Sequence, residues 1–342
     1  MKRIIYIVLF ALAFASGCSK VSSGLDVFHP DQERSYIFFE SKVLESIDTK
    51  SGLITGTSFP QDGNSVFGVV GYYGATSVFS GYNNGIANVT IGTDGVCTYD
   101  KLGVWQNSDP DATTKHRFYA FYPYSINADI NLNSGNPYIE YTQPATSAAM
   151  VDVLTACTET AKVSGVDLGF VHRLWALDVK ITNSLASSLT INSITLEVNG
   201  FPKETKIPLD PDTANNPTSS LSDEKVVLES PYVITIPADK MTIGTTASQS
   251  YGSLLFAPVP ANTFKYKLRI NYTDSYGQDT FTFPNTGYKE LAVAFEEGKR
   301  YTLEINKTED AFVLGSYESN RNDQGQLTPG AWSDVKVEHE FN

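Results

Sequence analysis

Few residues of this sequence have the types and spacing that catalysis needs. His172-Arg173 lies in an apolar run, where a base and a cation could serve chemistry, or where hydrogen bonds could hold a buried histidine. Two acidic pairs, Asp223-Glu224 and Glu296-Glu297, resemble the paired carboxylates of glycoside hydrolysis, but both lie beside turns, where solvated charge is common. The sequence contains no Gly-x-Ser-x-Gly elbow. It therefore predicts a protein that is not an enzyme.

The sequence also predicts no cofactor and no metal. Gly68, Gly71 and Gly74 imitate a dinucleotide fingerprint but lack its spacing and the helix that follows it, so we expect a strand that lies close to other backbone. The four histidines and three cysteines form no cluster with zinc-ligand spacing. If Cys18 is modified, Cys97 and Cys157 remain, and these two could pair in an oxidising compartment.

The N-terminus has the features of an export signal. Two basic residues precede the apolar run Ile4–Phe14, and small residues follow it. The run is too short for a permanent transmembrane helix, which needs about 20 residues. Because a cysteine directly follows Ala-Ser-Gly, the segment resembles a bacterial lipobox. We expect residues 1–17 to be removed between Gly17 and Cys18, and Cys18 to carry lipid. An ordinary signal peptide with a chance cysteine is the alternative.

Composition narrows the class of protein. The chain has 342 residues, with 38 acidic against 25 basic side chains, and this balance argues against nucleic-acid partners. Abundant Tyr, Phe and Gly favour strands and turns over helices. The length exceeds what one hydrophobic core usually organises, so we expect two domains.

Short segments with strand-like patterns recur along the chain, and no dozen-residue stretch has a helical period. Asp274–Gly277 should join two of them as a hairpin, and the proline-rich Pro202–Ser222 should be an irregular loop. The predicted strands are Ser35–Leu44, Val66–Tyr73, Gly85–Ile91, Val96–Leu102, Arg117–Tyr122, Tyr138–Tyr141, Val151–Ala156, Asp167–Thr182, Leu189–Val198, Lys225–Leu228, Tyr232–Ile236, Gly252–Val259, Phe264–Asp274, Asp279–Phe283, Leu291–Phe295, Arg300–Ile305 and Val335–Phe341.

This spacing predicts an all-β protein made of sandwiches. We expect a flexible tether over residues 18–34, an N-terminal β-sandwich over 35–163 and a C-terminal β-sandwich over 164–342.

Several segments together resemble the fimbrillin-like lipoproteins of Bacteroidales, the pilin subunits of type V pili. Their order along nearly the whole chain, behind a lipobox, carries the resemblance. The segments are Val66–Tyr73, Phe118–Tyr124, Val151–Ala156, Val166–Leu174, Leu254–Pro258, Phe295–Leu303 and Trp332–Phe341.

The resemblance implies two tandem transthyretin-like β-sandwich domains of Greek-key type and a structural role without catalysis. Such proteins reach the outer membrane as lipoproteins, which in this chain implies an anchor through the lipid on Cys18. A trypsin-like protease then removes the first strand, and a strand from another subunit, identical or different, fills the groove. Head-to-tail donation gives a filament that supports adhesion.

These roles can be placed on residues of this chain. Ser35–Leu44 is the candidate first strand, and Lys50 is the preferred cleavage site, with Arg34 and Lys42 as alternatives. The candidate donor strand, which is as well explained as the last strand of its own sandwich, has the alternating residues Val335, Val337, His339 and Phe341.

A surface glycan-binding lipoprotein is the alternative function. It would need an exposed aromatic platform, for which the candidates are Tyr72, Tyr82, Trp105 and Trp332.

Overall fold

A computed structural model describes residues 36–40, 59, 63–80, 85–94, 96–107, 113–132, 136–211, 231–291, 294–314 and 333–336. Within these ranges the protein is built of β-strands and three short 3-10 turns, Tyr124–Asp129, Ser147–Ala149 and Ala238–Lys240. The all-β class predicted from the sequence is confirmed. None of the helical segments in the described ranges is long and apolar enough to cross a membrane.

The strands fall into two groups along the chain. The first group is β1 (Phe39–Glu40), β2 (Ser65–Tyr73), β3 (Thr76–Ser77), β4 (Ile86–Ile91), β5 (Cys97–Tyr99), β6 (His116–Tyr122), β7 (Ile130–Asn131), β8 (Tyr138–Thr142), β9 (Leu154–Thr160), β10 (Val166–Asp167) and β11 (Val171–His172). The second group is β12 (Trp175–Asn183), β13 (Leu189–Asn199), β14 (Glu204–Pro208), β15 (Tyr232–Ile234), β16 (Thr242–Ile243), β17 (Ser248–Phe256), β18 (Lys265–Asp274), β19 (Gly277–Phe283), β20 (Lys289–Glu290), β21 (Lys299–Lys307), β22 (Phe312–Leu314) and β23 (Ser333–Lys336).

The first group of strands, which we call the first unit, is organised around one large antiparallel sheet. The strand order in this sheet is β11-β9-β6-β2-β4-β5, and β3 also pairs with β2. One face of this sheet packs on a thin second layer that includes β1 and β10. The other face, with Val70, Tyr119 and Phe121, belongs to the core shared with the second unit. Burial on both faces explains why β2 and β6 are apolar almost throughout instead of alternating.

The second group of strands, which we call the second unit, is a sandwich of two sheets. One sheet has the order β17-β12-β21-β22, with β23 also beside β21, and the other has the order β15-β13-β18-β19, with β16 and β20 at its ends. The alternation of β13, β18 and β21 places one side of each strand in the core between the sheets. The predicted hairpin is confirmed, since Asp274 and Gly277 face each other at the end of β18 and β19.

A three-stranded sheet joins the two units. β14 of the second unit pairs with β8 of the first, and β8 pairs with β7. The prediction of an irregular loop over Pro202–Ser222 is therefore wrong for Glu204–Pro208. The prediction relied on the prolines of this segment, which favour loops. Pro208, however, occupies the last position of β14, where it does not interrupt the strand.

Two other predicted strands differ in the structure. The run Asp167–Thr182 contains β10, β11 and β12, because the chain changes sheets twice within it. The described part of Leu291–Phe295 forms no regular strand: Phe295 makes an isolated bridge with Val259, and the backbone of Leu291 bonds to Asn262 and Phe264. The division of the chain at residues 163–164 stays a prediction; β10 and β11, which follow it, pair with strands of the first unit.

The glycine-rich segment around Gly68 and Gly71 forms the strand β2, as predicted. The prediction that this strand lies close to other backbone is wrong, because the atoms nearest to the Cβ positions of Gly68 and Gly71 belong to side chains. A Cβ atom at Gly68 would lie 2.2 Å from the ring of Phe121, and one at Gly71 would lie 2.9 Å from Phe118. The glycines therefore make room for aromatic side chains of the neighbouring strand.

Cys97 and Cys157 are not joined by a disulfide in the structure. They lie on β5 and β9, and three strands of the large sheet stand between these two. With about 4.8 Å between neighbouring strands, the separation is roughly 19 Å, far beyond disulfide reach. The pairing considered from the sequence is therefore excluded in this fold.

Candidate functional site: the groove around the first segment

The first described part of the chain, Tyr36–Glu40, lies in a groove of the first unit; we refer to it as the first segment. One wall of the groove is formed by residues 103–104. The backbone N–H of Ile37 donates to the carbonyl oxygen of Gly103 at 2.9 Å, and Tyr36 forms an antiparallel bridge with Val104. The first segment thus adds a strand edge to this wall.

The opposite wall is β10, which runs parallel to the first segment. Phe39 is in register with Val166, and Glu40 is in register with Asp167. The N–H of Val166 donates to the carbonyl oxygen of Phe38 at 2.8 Å. The first segment is therefore hydrogen-bonded along both of its edges, to residues 103–104 and to β10.

Phe39 enters an aromatic socket, which we define as the rings of Phe79, Tyr99 and Phe118. Its ring centroid lies 6.3, 6.2 and 5.5 Å from theirs, and the contact with Phe118 is edge-to-face. The Tyr99 hydroxyl accepts from the backbone N–H of Phe39 at 2.8 Å and donates to its carbonyl oxygen at 3.0 Å. One side chain therefore pairs with both backbone groups of a residue, as a neighbouring strand would.

The groove wall is fixed from behind by His116. Its Nε2 accepts from the backbone N–H of Gln106 at 3.1 Å, and its ring centroid lies 4.7 Å from those of Tyr73 and Trp105. Trp105 in turn donates its indole N–H to the carbonyl oxygen of Tyr36 at 3.1 Å. Desolvation by burial lowers the pKa of His116 below its usual 6.5, which keeps Nε2 available as an acceptor.

The C-terminal candidate strand lies in the second unit. Ser333–Lys336 runs parallel to β21 along residues 299–302, and β22 occupies the same edge at residues 305–307. In this structure Val335 is therefore paired within its own chain. Val337, His339 and Phe341 lie outside the described residues, so their role as a donor strand stays a prediction.

His172 and Asp152 form a buried pair at the junction of the units. The His172 Nδ1 lies 3.0 Å from a carboxylate oxygen of Asp152, and their side chains are 1% and 0% exposed. This is the buried, hydrogen-bonded histidine that the sequence offered as one of two interpretations.

The neighbouring Arg173 lies 3.2 Å from Glu297. Burial raises the pKa of Glu297, and the charge of Arg173 opposes that effect. The Arg173 side chain is 6% exposed and that of Glu297 is 38% exposed, so the pair links a buried cation to a carboxylate at the surface.

The structure does not provide the aromatic platform that glycan binding would need at Trp105. That side chain is 6% exposed, so the prediction of an exposed platform is wrong for it. Tyr72 is half-buried, and its ring packs edge-to-face on Tyr119. Tyr82 and Trp332 lie outside the described residues.

The structure does not describe any of the residues predicted for lipidation, signal cleavage or protease processing. Gly17, Cys18, Arg34, Lys42 and Lys50 all lie outside the described residues.

Within the described ranges, no group of three His, Cys, Asp or Glu side chains is arranged to hold a metal ion.

Sequence reasoning missed Tyr99 and Trp105 as partners of the first segment. Both are 60 or more positions from the backbone that they bind. The only local indication of such a role is that both residues are aromatic. Tyr99 ends the short strand β5, and Trp105 follows it.

Comparison with known proteins places this chain in a family. A profile of fimbrillin-like proteins matches residues 56–320, and no curated protein matches the sequence. A candidate cell adhesion protein from Bacteroides uniformis is similar at 14% identity and a TM-score of 0.49, over 84% of this chain and 97% of that one. The fimbrial anchor protein Mfa2 from Porphyromonas gingivalis is similar at 8% identity and a TM-score of 0.33, over 83% and 95%. Because the profile covers most of the sequence, the chain belongs to the fimbrillin-like family.

Proposed function

We propose that this chain is a structural pilus subunit that exchanges its first segment for a strand of another subunit. Membership of the fimbrillin-like family makes it a fimbrial or adhesion subunit of the cell surface, which associates with other pilin subunits. The strand exchange, the lipid anchor, the protease and the absence of catalysis are the parts that we add.

The observation that carries the proposal is the way in which the first segment is held. Its backbone pairs with two separate walls, and Ile37 and Phe39 are buried at 1% and 4% exposure. Burying two such side chains stabilises the fold by about 1.5–3 kcal/mol each. An incoming strand with the same alternation would restore both the ladder and the burial, so exchange has little net cost.

In the proposed sequence of events, Cys18 is lipidated and residues 18–34 tether the precursor to the outer membrane. A trypsin-like protease then cuts after Lys50, and the first segment leaves with the tether. For a chain to donate its own C-terminal strand, Ser333–Lys336 must leave β21, where four residues pair along one edge.

Limited trypsin treatment of the exported protein, followed by N-terminal sequencing, tests the cleavage. We expect a new N-terminus at Ser51, and Lys50→Gln should remove it. Lys42→Gln and Arg34→Gln are the matched controls and should leave the first cut unchanged. A first cut elsewhere would reject Lys50.

Assembly after cleavage tests the exchange itself. We expect cut protein to form polymers that are lost when residues 333–342 are deleted, while the monomer keeps its midpoint of unfolding. Unfolding of the deletion variant would instead assign β23 to the sandwich of its own chain. Incorporation of labelled palmitate, with Cys18→Ser as the control, tests the anchor.

A further inference from the structure

We infer that the aromatic socket selects the incoming strand, and that its occupant in the assembled state is Phe341 of a second copy of this chain. This inference rests on the proposed strand exchange and adds the residue that decides which strand fits. Tyr99, Phe79 and Phe118 are the specificity-determining residues.

The selection has two physical parts. The first is shape: in the first segment the socket is filled by a single aromatic ring, that of Phe39, which is 4% exposed. Phe38, the preceding residue, is half-buried, and its ring packs edge-to-face on Tyr99 with 6.2 Å between the ring centroids. An alanine in place of the inward phenylalanine would leave a cavity that the surrounding rings cannot fill.

The second part is the backbone. Because Tyr99 bonds to both the N–H and the carbonyl oxygen of Phe39, the residue in the socket needs a free N–H. A proline or an N-methylated residue would remove one of the hydrogen bonds of this partly buried hydroxyl. The incoming strand must therefore present an aromatic residue whose own backbone N–H is free to donate a hydrogen bond.

Space restricts the neighbouring inward position as well. The side chain of Ile37 lies against Gly103, where an added Cβ atom would be 3.3 Å from the isoleucine and 2.4 Å from the ring of Phe79. The wall is thus closely packed two residues before the socket. This fixes the register of a strand by the position of its aromatic residue.

The C-terminal segment of this chain has one residue that meets these requirements. Among its alternating residues Val335, Val337, His339 and Phe341, only Phe341 is an aromatic hydrocarbon without a polar atom to satisfy. Placing it in the socket brings His339 to the position of Ile37 if the strand keeps the direction of the first segment.

The socket can be tested in the intact chain without any exchange. Tyr99→Phe should speed amide hydrogen exchange in residues 36–40 by about tenfold, since it removes two hydrogen bonds of the segment. Tyr73→Phe is the matched control, because its hydroxyl accepts from the Asn107 side chain and not from the first segment. Equal exchange rates in the two variants would overturn the socket.

Selection is tested with synthetic peptides added to the full chain before and after limited trypsin. A peptide of residues 35–44 should bind, and its Phe39→Ala and N-methyl-Phe39 variants should bind at least about tenfold more weakly. The Phe38→Ala variant should lose less affinity, because it removes a half-buried ring that contacts Tyr99. A peptide of residues 333–342 should bind, and its Phe341→Ala variant should bind similarly more weakly than a Val335→Ala control.

The outcomes separate the two proposals. If the peptides bind with the same affinity after substitution at Phe39 or Phe341, the proposed selection is wrong and the proposed strand exchange is unaffected. Failure of every peptide, with the Tyr99→Phe result as expected, overturns the exchange and the assignment of Phe341, and limits the socket to holding its own segment.

Discussion

Trp105 and Tyr36 are 69 positions apart in the sequence, and a hydrogen bond of 3.1 Å joins the indole N–H of one to the carbonyl oxygen of the other. This bond connects the start of the first segment to the loop that forms one wall of its groove. It also explains why an aromatic residue that seemed suited to sugar stacking is buried.

Replacing Trp105 by phenylalanine should release the first segment more easily. The variant keeps an aromatic ring and loses one hydrogen bond, worth about 1 kcal/mol. After trypsin treatment, the first segment should dissociate about fivefold faster, as followed by mass spectrometry.

Trp175→Phe is the control, because Trp175 donates to the carbonyl oxygen of Ala257 at 2.8 Å in the second unit. Its stability should fall by a similar amount, without faster release of the segment. Equal release rates in the two variants would contradict a role for Trp105 in retention.

Acid should loosen the first unit through His116. Its pKa in the folded state is lower than the usual 6.5, so the unfolded chain binds a proton more readily. The stability that neutral His116 contributes is therefore present above about pH 6.5 and is lost as the pH falls from there towards the folded pKa.

Urea unfolding between pH 7.5 and 5 measures this effect. We expect the loss of stability on acidification to be smaller in His116→Gln, whose side-chain oxygen accepts from Gln106 at any pH. An identical pH dependence in both proteins would assign the loss to other groups.

The buried pair of Asp152 and His172 should make a large contribution to stability. Asp152→Ala leaves a buried histidine without its carboxylate partner, at a cost of about 1–3 kcal/mol in the free energy of unfolding. The double variant Asp152→Leu/His172→Leu should be less destabilised than the sum of the two single variants. Additive losses in a double-mutant cycle would show that the pair does not act as a unit.

Gly71 should not tolerate a side chain. A Cβ atom there would lie 2.6 Å from Val78 and 2.8 Å from Phe79, so Gly71→Ala should cost about 1–3 kcal/mol through overpacking. Gly244→Ala is the control, since nothing lies within 4 Å of its Cβ position. Thermal unfolding of both variants checks the difference, and equal midpoints would contradict the packing argument.

Local patterns in the sequence predict the fold better than they predict the site. Strands such as β2, β6, β13 and β18 are visible because their apolar residues follow the burial of the sheet faces. β14 was missed, because its prolines suggested a loop and its partner β8 belongs to the other unit. The parallel pairing of β12 with β21 joins segments more than 100 positions apart and has no local signal.

The groove was predictable only in outline. The sequence predicts a strand over Ser35–Leu44, but its apolar run Ile37-Phe38-Phe39 does not alternate and so does not show which side chains face the groove. The socket depends on Tyr99, whose hydroxyl binds backbone 60 positions away, and no pattern of residue types encodes such a distance. The family resemblance supplied the idea of a removable strand, and the contacts supply the residues that would hold a replacement.

The sheet formed by β14, β8 and β7 has a mechanical consequence. Because backbone hydrogen bonds run directly from one unit to the other, the joint resists hinge motion more strongly than a flexible linker does. In a filament of such chains, we expect curvature and elasticity to arise where one molecule meets the next, so persistence length would report on those junctions and not on the interior of each building block.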